Sequence, residues 1–280
     1  MSTIHDVKIP ADILEKLHAT LVIEKEVIEQ FQKDGFVQLK NLISRDVLNY
    51  FRDSIMNIVK AKSADELALE DRDTYGKAFL QISNIWTMDK MVKEFTFSKL
   101  LASVATQLLE VSGVRMYHDQ ALYKEPGGGI TPWHVDQVYW PLSNKKTVTA
   151  WIPLVPVTRE MGPLGFAKGS HQMDLGRDHT ISDESEELIK DNILRGGVEY
   201  HCEPFDLGDV SFHFGYTFHN AGTNETDIPR QIMTIIYMDK EMKLTEPESI
   251  FHKNDLKSWM PGQAVGETID TPLNPVLHTA

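Results

Sequence analysis

The feature that most constrains this chain is a change of period. Up to about residue 113, apolar side chains recur at helical spacing. From Val114 to about Asp239 they come in short β-type runs cut by Gly and Pro. Val27, Ile28 and Phe31 mark a helix over Glu24 to Asp34, which Asp34-Gly35 stops, and Phe36 to Leu39 reads as a short strand. Ser44 is placed to cap a helix carrying Val47, Leu48, Phe51, Ile55 and Ile58 on one face. Ser98 is placed to cap another, which ends at Gly113. The β-type runs are Met116–Tyr123, Thr147–Val155, Asp209–Phe214 and Gln231–Met238. Short strands separated by turn residues predict a sandwich or barrel, with the preceding helices packed outside one sheet. Residues 172–203, with Asp183, Glu184, Glu186 and Glu187, interrupt the pattern and predict a surface insertion with a short helix. The tail from about Glu246 holds Trp259, Pro261, Pro272 and Pro275 and is expected to be irregular but docked.

The whole reads as one domain over 1–280: a mainly helical part over 1–113, a β core over 114–240 and a tail over 241–280. A chain of 280 residues that is 41% hydrophobic can bury one large core. A formal net charge of -13 and a pI near 5.3 argue against a nucleic-acid partner, which would need clustered Lys and Arg. Cys202 is the single cysteine, which fits a reducing compartment. No basic segment followed by an apolar run opens the chain, and no run has the length of a membrane span, so a cytoplasmic protein is expected. No repeat or low-complexity tract is present.

Chemistry concentrates at His134-Val135-Asp136, answered by His219 and then Arg230. Residues two apart on a strand point to one face, so an H-x-D at a strand end aims two ligands at one point. Two imidazoles and one carboxylate match the facial ligand set of non-haem Fe(II) oxygenases. A guanidinium binds a carboxylate through two parallel hydrogen bonds and stays charged, so Arg230 suits an acidic co-substrate. Trp133, Val135, Tyr139 and Trp140 suit a dry pocket. The triplet alone is weak evidence in a chain with 11 histidines. His5, His18, His179, His252 and His278 read as solvated. His213, within Ser211-Phe-His-Phe214, could be a ligand but reads better as a satisfied core histidine.

Four stretches carry more: Lys124-Glu-Pro-Gly with Trp133-His-Val-Asp136; Ala150-Trp-Ile-Pro-Leu154; Gly162-Pro-Leu-Gly-Phe with Gly169-Ser-His171; and Gly208-Asp-Val-Ser-Phe-His213 with His219, Asn224 and Arg230. In order and spacing they resemble the phytanoyl-CoA dioxygenase family of Fe(II)/2-oxoglutarate oxygenases, over about residues 25 to 240. The resemblance implies a mainly β fold with flanking helices, built on a double-stranded β-helix (jelly-roll, cupin-like) core. It implies His134, Asp136 and His219 as iron ligands, Arg230 as the partner of the far carboxylate of 2-oxoglutarate, and Trp151 and Gln120 as further co-substrate contacts. Trp140, Trp133 and Gln137 are candidates for substrate. No catalytic side chain is expected beyond the ligands, and Gly169-Ser-His171 is expected to be a structural turn. Two departures stand out. Ala221 replaces a serine that many members use to bond the co-substrate, a bond that Thr223 could supply instead. Val135 stands where some relatives have Gln. Asp136 itself argues for hydroxylation, since halogenating relatives have Ala or Gly there.

The activity implied is hydroxylation of a small molecule with Fe(II), 2-oxoglutarate and O2, releasing succinate and CO2, with ascorbate as an aid to turnover. Two other readings stay open at this point: a zinc-dependent hydrolase on the same ligands, and a cupin-like binding module without turnover. A small polar or amphipathic substrate is expected. Residues 71–90, 137–146 and 172–203 are the candidate specificity elements. Lys77, Lys124, Lys145 and Lys146 could meet an anionic substrate, although scattered lysines are usually solvated.

Overall fold

A computed structural model describes residues 8–63, 67–72, 74–173 and 183–280. Six helices come first: α1 (Ala11–Leu17), α2 (Lys25–Asp34), α3 (Arg45–Lys62), α4 (Thr74–Ala78), α5 (Lys90–Thr96) and α6 (Lys99–Leu109). α7 (Asp183–Arg195) lies in the expected insertion, whose residues 174–182 fall outside the described ones. α8 (Ile250–Trp259) lies in the tail. The strands are β1 (Phe36–Leu39), β2 (Leu80–Ser83), β3 (Gly113–Lys124), β4 (Thr131–His134), β5 (Thr147–Pro153), β6 (Leu164–Ala167), β7 (Tyr200–Cys202), β8 (Val210–Phe214), β9 (His219–Ala221), β10 (Arg230–Asp239) and β11 (Val276–Thr279).

Two antiparallel sheets face each other. The larger runs β1-β8-β5-β10-β3-β11, with β2 also on β3, and the smaller runs β4-β9-β6-β7. This is the double-stranded β-helix arrangement expected. The strongest strand patterns fall in the larger sheet, whose outer face buries Val114, Ile235 and Phe212 against α3 and α6 residues such as Phe51, Ile55, Leu101 and Leu108. That helical layer stiffens the sheet from behind and leaves the inner face for the site.

Three expectations need correction. Ser44 holds the N-cap position of α3, but its side chain makes no capping bond, whereas Ser98 accepts from the Leu101 amide as expected. α6 stops at Leu109 rather than Gly113, because Glu110 adopts a left-handed conformation (φ 52) and Gly113 already begins β3. The tail is ordered: α8 is capped by Ser249, and β11 adds to the edge of β3. Its apolar residues are too few and too widely spaced to announce either element.

A candidate iron and 2-oxoglutarate site between the sheets

The antiparallel register lays the inner side chains of the larger sheet in rows. One row runs His213, Thr149, Ile236, His118 across β8, β5, β10 and β3; the next runs Ser211, Trp151, Thr234, Gln120. Further along the same strands, Arg230 pairs with Lys124. On the facing sheet, His219 pairs with both His134 and Phe166. The two sheets enclose a cavity of about 450 Å³ that reaches from Arg230 past the triad to α8.

The triad forms where the sheets meet. Ligand atoms of His134, Asp136 and His219 lie within 4.8 Å of one another. His134 Nε2 and His219 Nε2 are each 3.6 Å from Asp136 Oδ1. The proton on each imidazole is placed by the backbone: His134 Nδ1 donates to the Pro132 carbonyl at 2.7 Å, and His219 Nδ1 to the Thr217 carbonyl at 2.9 Å. Both Nε2 lone pairs are thereby left for a metal. Thr149 Oγ1 donates to Asp136 Oδ2 at 3.0 Å and holds the carboxylate in place. Burial pushes both histidines down to about pKa 4, so they are neutral, as ligands must be. Burial opposes ionisation of Asp136, but His219, His213 and His134 outweigh it and hold its carboxyl well below the usual range. This donor set fits a divalent metal with positions left open.

Arg230 is 2% exposed. It donates through Nη1 to the Gly162 carbonyl, and its Nε is buried without a partner. Among the described residues no carboxylate pairs with it. Burial pulls it down to about pKa 9, still charged near neutrality. A buried cation without a counter-ion is costly unless an anion binds there. Its carbonyl partner sits on a tight crossing: Gly162 has φ 65, and a Cβ there would collide with the Gly222 carbonyl. Only glycine fits.

Trp151, Gln120 and Trp140 line the cavity. Trp133 and Gln137 do not. Trp133 packs with Phe218 and Ile193, towards α7. Gln137 is spent on the loop after it, donating to the Asn144 carbonyl and accepting from Thr147 Oγ1. Thr223 is turned to Glu225 rather than to the cavity. Lys124 is buried rather than solvated, donating to the carbonyls of Gly129 and Gly222. Burial and the neighbouring Arg230 pull it down to about pKa 6. His18, His252 and His278 are hydrogen-bonded to Glu94, the Val138 carbonyl and Thr106 rather than simply solvated; His5 and His179 lie outside the described residues. His171 does serve the turn, its Nε2 on the Gln32 carbonyl.

Among the titratable residues that line the cavity, three were not assigned to it by the sequence reading. His213 is no isolated core histidine. It is 1% exposed, its Nε2 lies 3.4 Å from Asp136 Oδ2, and neither ring nitrogen has a hydrogen-bond partner. Strand parity with Ser211 could have placed it inward. His118 shares the inward parity of Gln120 on β3 and could have been found the same way. Asp255, on α8, carried no signal in the sequence.

The chain is 23% identical over 231 residues to a protein of Streptomyces arenae named 1-deoxypentalenic acid 11-beta-hydroxylase, covering 73% of this chain and 76% of that one. Among solved structures it superposes on the epimerase SnoN, in complex with Fe3+, alpha ketoglutarate and nogalamycin RO, with a TM-score of 0.75. There the identity is 21%, with 91% of this chain and 98% of that one covered. It superposes on EctD from S. alaskensis, with 2-oxoglutarate and 5-hydroxyectoine, with a TM-score of 0.67, 18% identity, and 92% and 90% coverage. The family model of phytanoyl-CoA dioxygenase (PhyH) matches residues 31–232, and the chain belongs to that family.

Proposed function

We propose that His134, Asp136 and His219 hold Fe(II), that Arg230 and Trp151 seat 2-oxoglutarate, and that the enzyme hydroxylates a small molecule in the cavity between the sheets. The chain is an Fe(II)- and 2-oxoglutarate-dependent oxygenase by its family and its donor set. The observation that carries the co-substrate is Arg230, buried beside the metal ligands' cavity without a counter-ion. A zinc hydrolase on the same three ligands would give that guanidinium nothing to bind, and a module without turnover would not need the cavity to extend past the metal.

When bound, iron and 2-oxoglutarate supply the oxidising power: O2 is consumed, succinate and CO2 leave, and oxygen enters the substrate. This chain's residues supply position and dryness. Thr149 fixes the Asp136 carboxylate, the Pro132 and Thr217 carbonyls fix the two imidazoles, and Arg230 fixes the far end of the co-substrate. Gln120 and Thr234 lie one row from the His118–Thr149 row and offer polar contacts between the two ends. Trp151, Phe205 and Trp140 exclude water. Among the described residues, no helix is long and apolar enough to cross a membrane.

The test is succinate formation by the purified protein with Fe(II), 2-oxoglutarate, O2 and ascorbate. Succinate that disappears in His219→Ala supports the assignment. A protein that binds iron, yet gives neither succinate nor the weak visible absorption of an iron–2-oxoglutarate complex, would overturn it.

A further inference from the structure

At the α8 end of the cavity stands a carboxylate with no cation. Asp255 Oδ1 accepts from Trp259 Nε1 at 3.2 Å, and Oδ2 accepts from the Tyr117 hydroxyl. Both donors are neutral. Among the described residues no Lys, Arg or His pairs with Asp255, and the sole guanidinium or ammonium lining the cavity is Arg230 at its other end. Roughly 20 Å of β3 separates Lys124, beside Arg230, from His118, beside this cluster.

The backbone is shaped to build this end. β3 and β10 pair regularly until Ile236 meets His118 and Tyr237 meets Met116, which leaves Tyr117 as the extra residue of a bulge. A bulge re-aims side chains at the rim of a site. Here it lets two consecutive residues serve one cluster: Tyr117 reaches Asp255, and His118 lines the cavity with its ring 4.7 Å from Trp259. His118 is 3% exposed, and its Nδ1 finds no partner of acceptable hydrogen-bond geometry. Burial pushes it down to about pKa 4, so it is neutral and supplies no counter-charge. Tyr139, Trp140, Phe251 and Trp259 line the cavity around these groups. Aromatic faces attract cations, and a carboxylate in such a setting favours a bound ammonium more than it would in water. Burial also raises Asp255 to about pKa 7, as expected for a carboxylate short of a positive partner.

We propose that Asp255, walled by Trp259, Trp140, Tyr139 and Phe251 and backed by His118, recognises a cationic nitrogen on the substrate, whose apolar or aromatic body lies along the same wall. The proposal rests on the oxygenase reading, because it names the substrate of that site. The cavity then has a fixed cation for the co-substrate at one end and a fixed anion for the substrate at the other. His118 shares its row with Thr149 and His213, the side chains that flank Asp136, so a molecule anchored at this end borders the metal ligands.

The competing role for Asp255 is purely structural, pinning α8 to β3. Binding separates the two. The anaerobic Fe(II)- and 2-oxoglutarate-loaded protein is titrated at pH 8 with 2-phenylethylamine, with its neutral analogue 2-phenylethanol and with anionic 3-phenylpropanoate. Tryptophan fluorescence and the visible iron–2-oxoglutarate band are read together. The amine should bind about tenfold or more tighter than the alcohol, as a charge-assisted bond predicts, and the acid weakest. In Asp255→Asn the amine preference should fall to about twofold or less while circular dichroism stays native. Equal binding of amine and alcohol, no binding of any probe, or a preference that survives Asp255→Asn overturns the proposal. Should the variant not fold, the wild-type series alone still decides whether this cavity selects a cation. Repeating the fluorescence series without metal keeps the outcomes distinct. A missing visible band counts against the oxygenase reading, whereas a missing amine preference counts against Asp255.

Discussion

The guanidinium of Arg230 lies over the indole of Trp151, its Cζ 5.6 Å from the ring centroid, in a cavity where no acidic side chain of the described residues answers it. The indole face offers partial compensation, and one carbonyl takes one N–H. The remaining donors are set for a carboxylate. Arg230→Glu should therefore abolish 2-oxoglutarate binding, and Arg230→Lys should weaken it about tenfold to a hundredfold, because an ammonium cannot reproduce the planar pair of hydrogen bonds. Iron stoichiometry should stay near that of the wild type in both. Titration of the visible band measures the co-substrate, and metal analysis measures the iron. Near-normal succinate production by Arg230→Glu would remove Arg230 from the site.

His134→Ala and Asp136→Ala should each weaken Fe(II) binding, by about a hundredfold or more, since even outer partners of metal ligands are worth tenfold to a hundredfold. Anaerobic titration followed by metal analysis checks this. If both variants retain full metal at micromolar Fe(II), the triad is wrong. His134→Ala also leaves the Pro132 carbonyl without its imidazole donor, so thermal melts of the metal-free variants belong beside the titration.

How much was legible in the sequence depended on whether the signal was local. The four strands read from alternation or β-rich runs, at Met116, Thr147, Asp209 and Gln231, are the four inner strands of the larger sheet. They are long and buried, so their composition declares them. β4, β6, β7 and β9 are 3 or 4 residues long and pair with one another across long stretches of sequence, which no local pattern reveals. His134, Asp136 and His219 were legible because an H-x-D at the end of a strand stands, with His219 and Arg230, among stretches that resemble the family; spacing alone would not have joined residues so far apart in the chain. Gln137 misled because it directly follows a ligand: the 3-10 turn at Asp136–Tyr139 swings it onto Asn144 and Thr147, away from the cavity. Asp255 was out of reach, since its partner Tyr117 is distant in sequence and turns towards it through a bulge that no residue type announces.

His213 offers a sharper test of a position that sequence reading took as core. Its Nε2 stands 3.4 Å from the Asp136 oxygen that also accepts from Thr149, with the His219 ring 4.5 Å away. If His213 helps to hold Asp136, His213→Phe should lower Fe(II) affinity about tenfold, and His213→Gln should recover part of the loss. If His213 only fills space, Phe should fill it at least as well, raise the melting temperature and leave iron binding unchanged. Fe(II) titrations beside melts of the metal-free variants tell these apart.

Asp119 carries a prediction about pH that is independent of the metal. It is fully buried on β3, facing the helical layer rather than the cavity. Its Oδ2 accepts from Thr96 Oγ1 at 3.0 Å and from the Trp86 amide at 3.1 Å. Burial outweighs these donors and raises its carboxyl to about pKa 7 from an ordinary 3.8. A carboxyl raised on folding is protonated more readily in the native state. It therefore leaves stability intact below the unfolded value and erodes it as pH climbs towards the folded value. The wild type should lose on the order of 2–3 kcal/mol between pH 5 and pH 8 from this group alone. Asp119→Asn keeps an oxygen for Thr96 and Trp86 but cannot ionise. Its melting temperature relative to wild type should therefore rise by several degrees from pH 5 to pH 8. The difference between the two proteins cancels the other titrating groups, so calorimetry of the metal-free pair at the two pH values suffices. A difference that stays flat across that interval would mean that Asp119 is ionised at no cost in the native fold, with Thr96 and Trp86 fully compensating its burial.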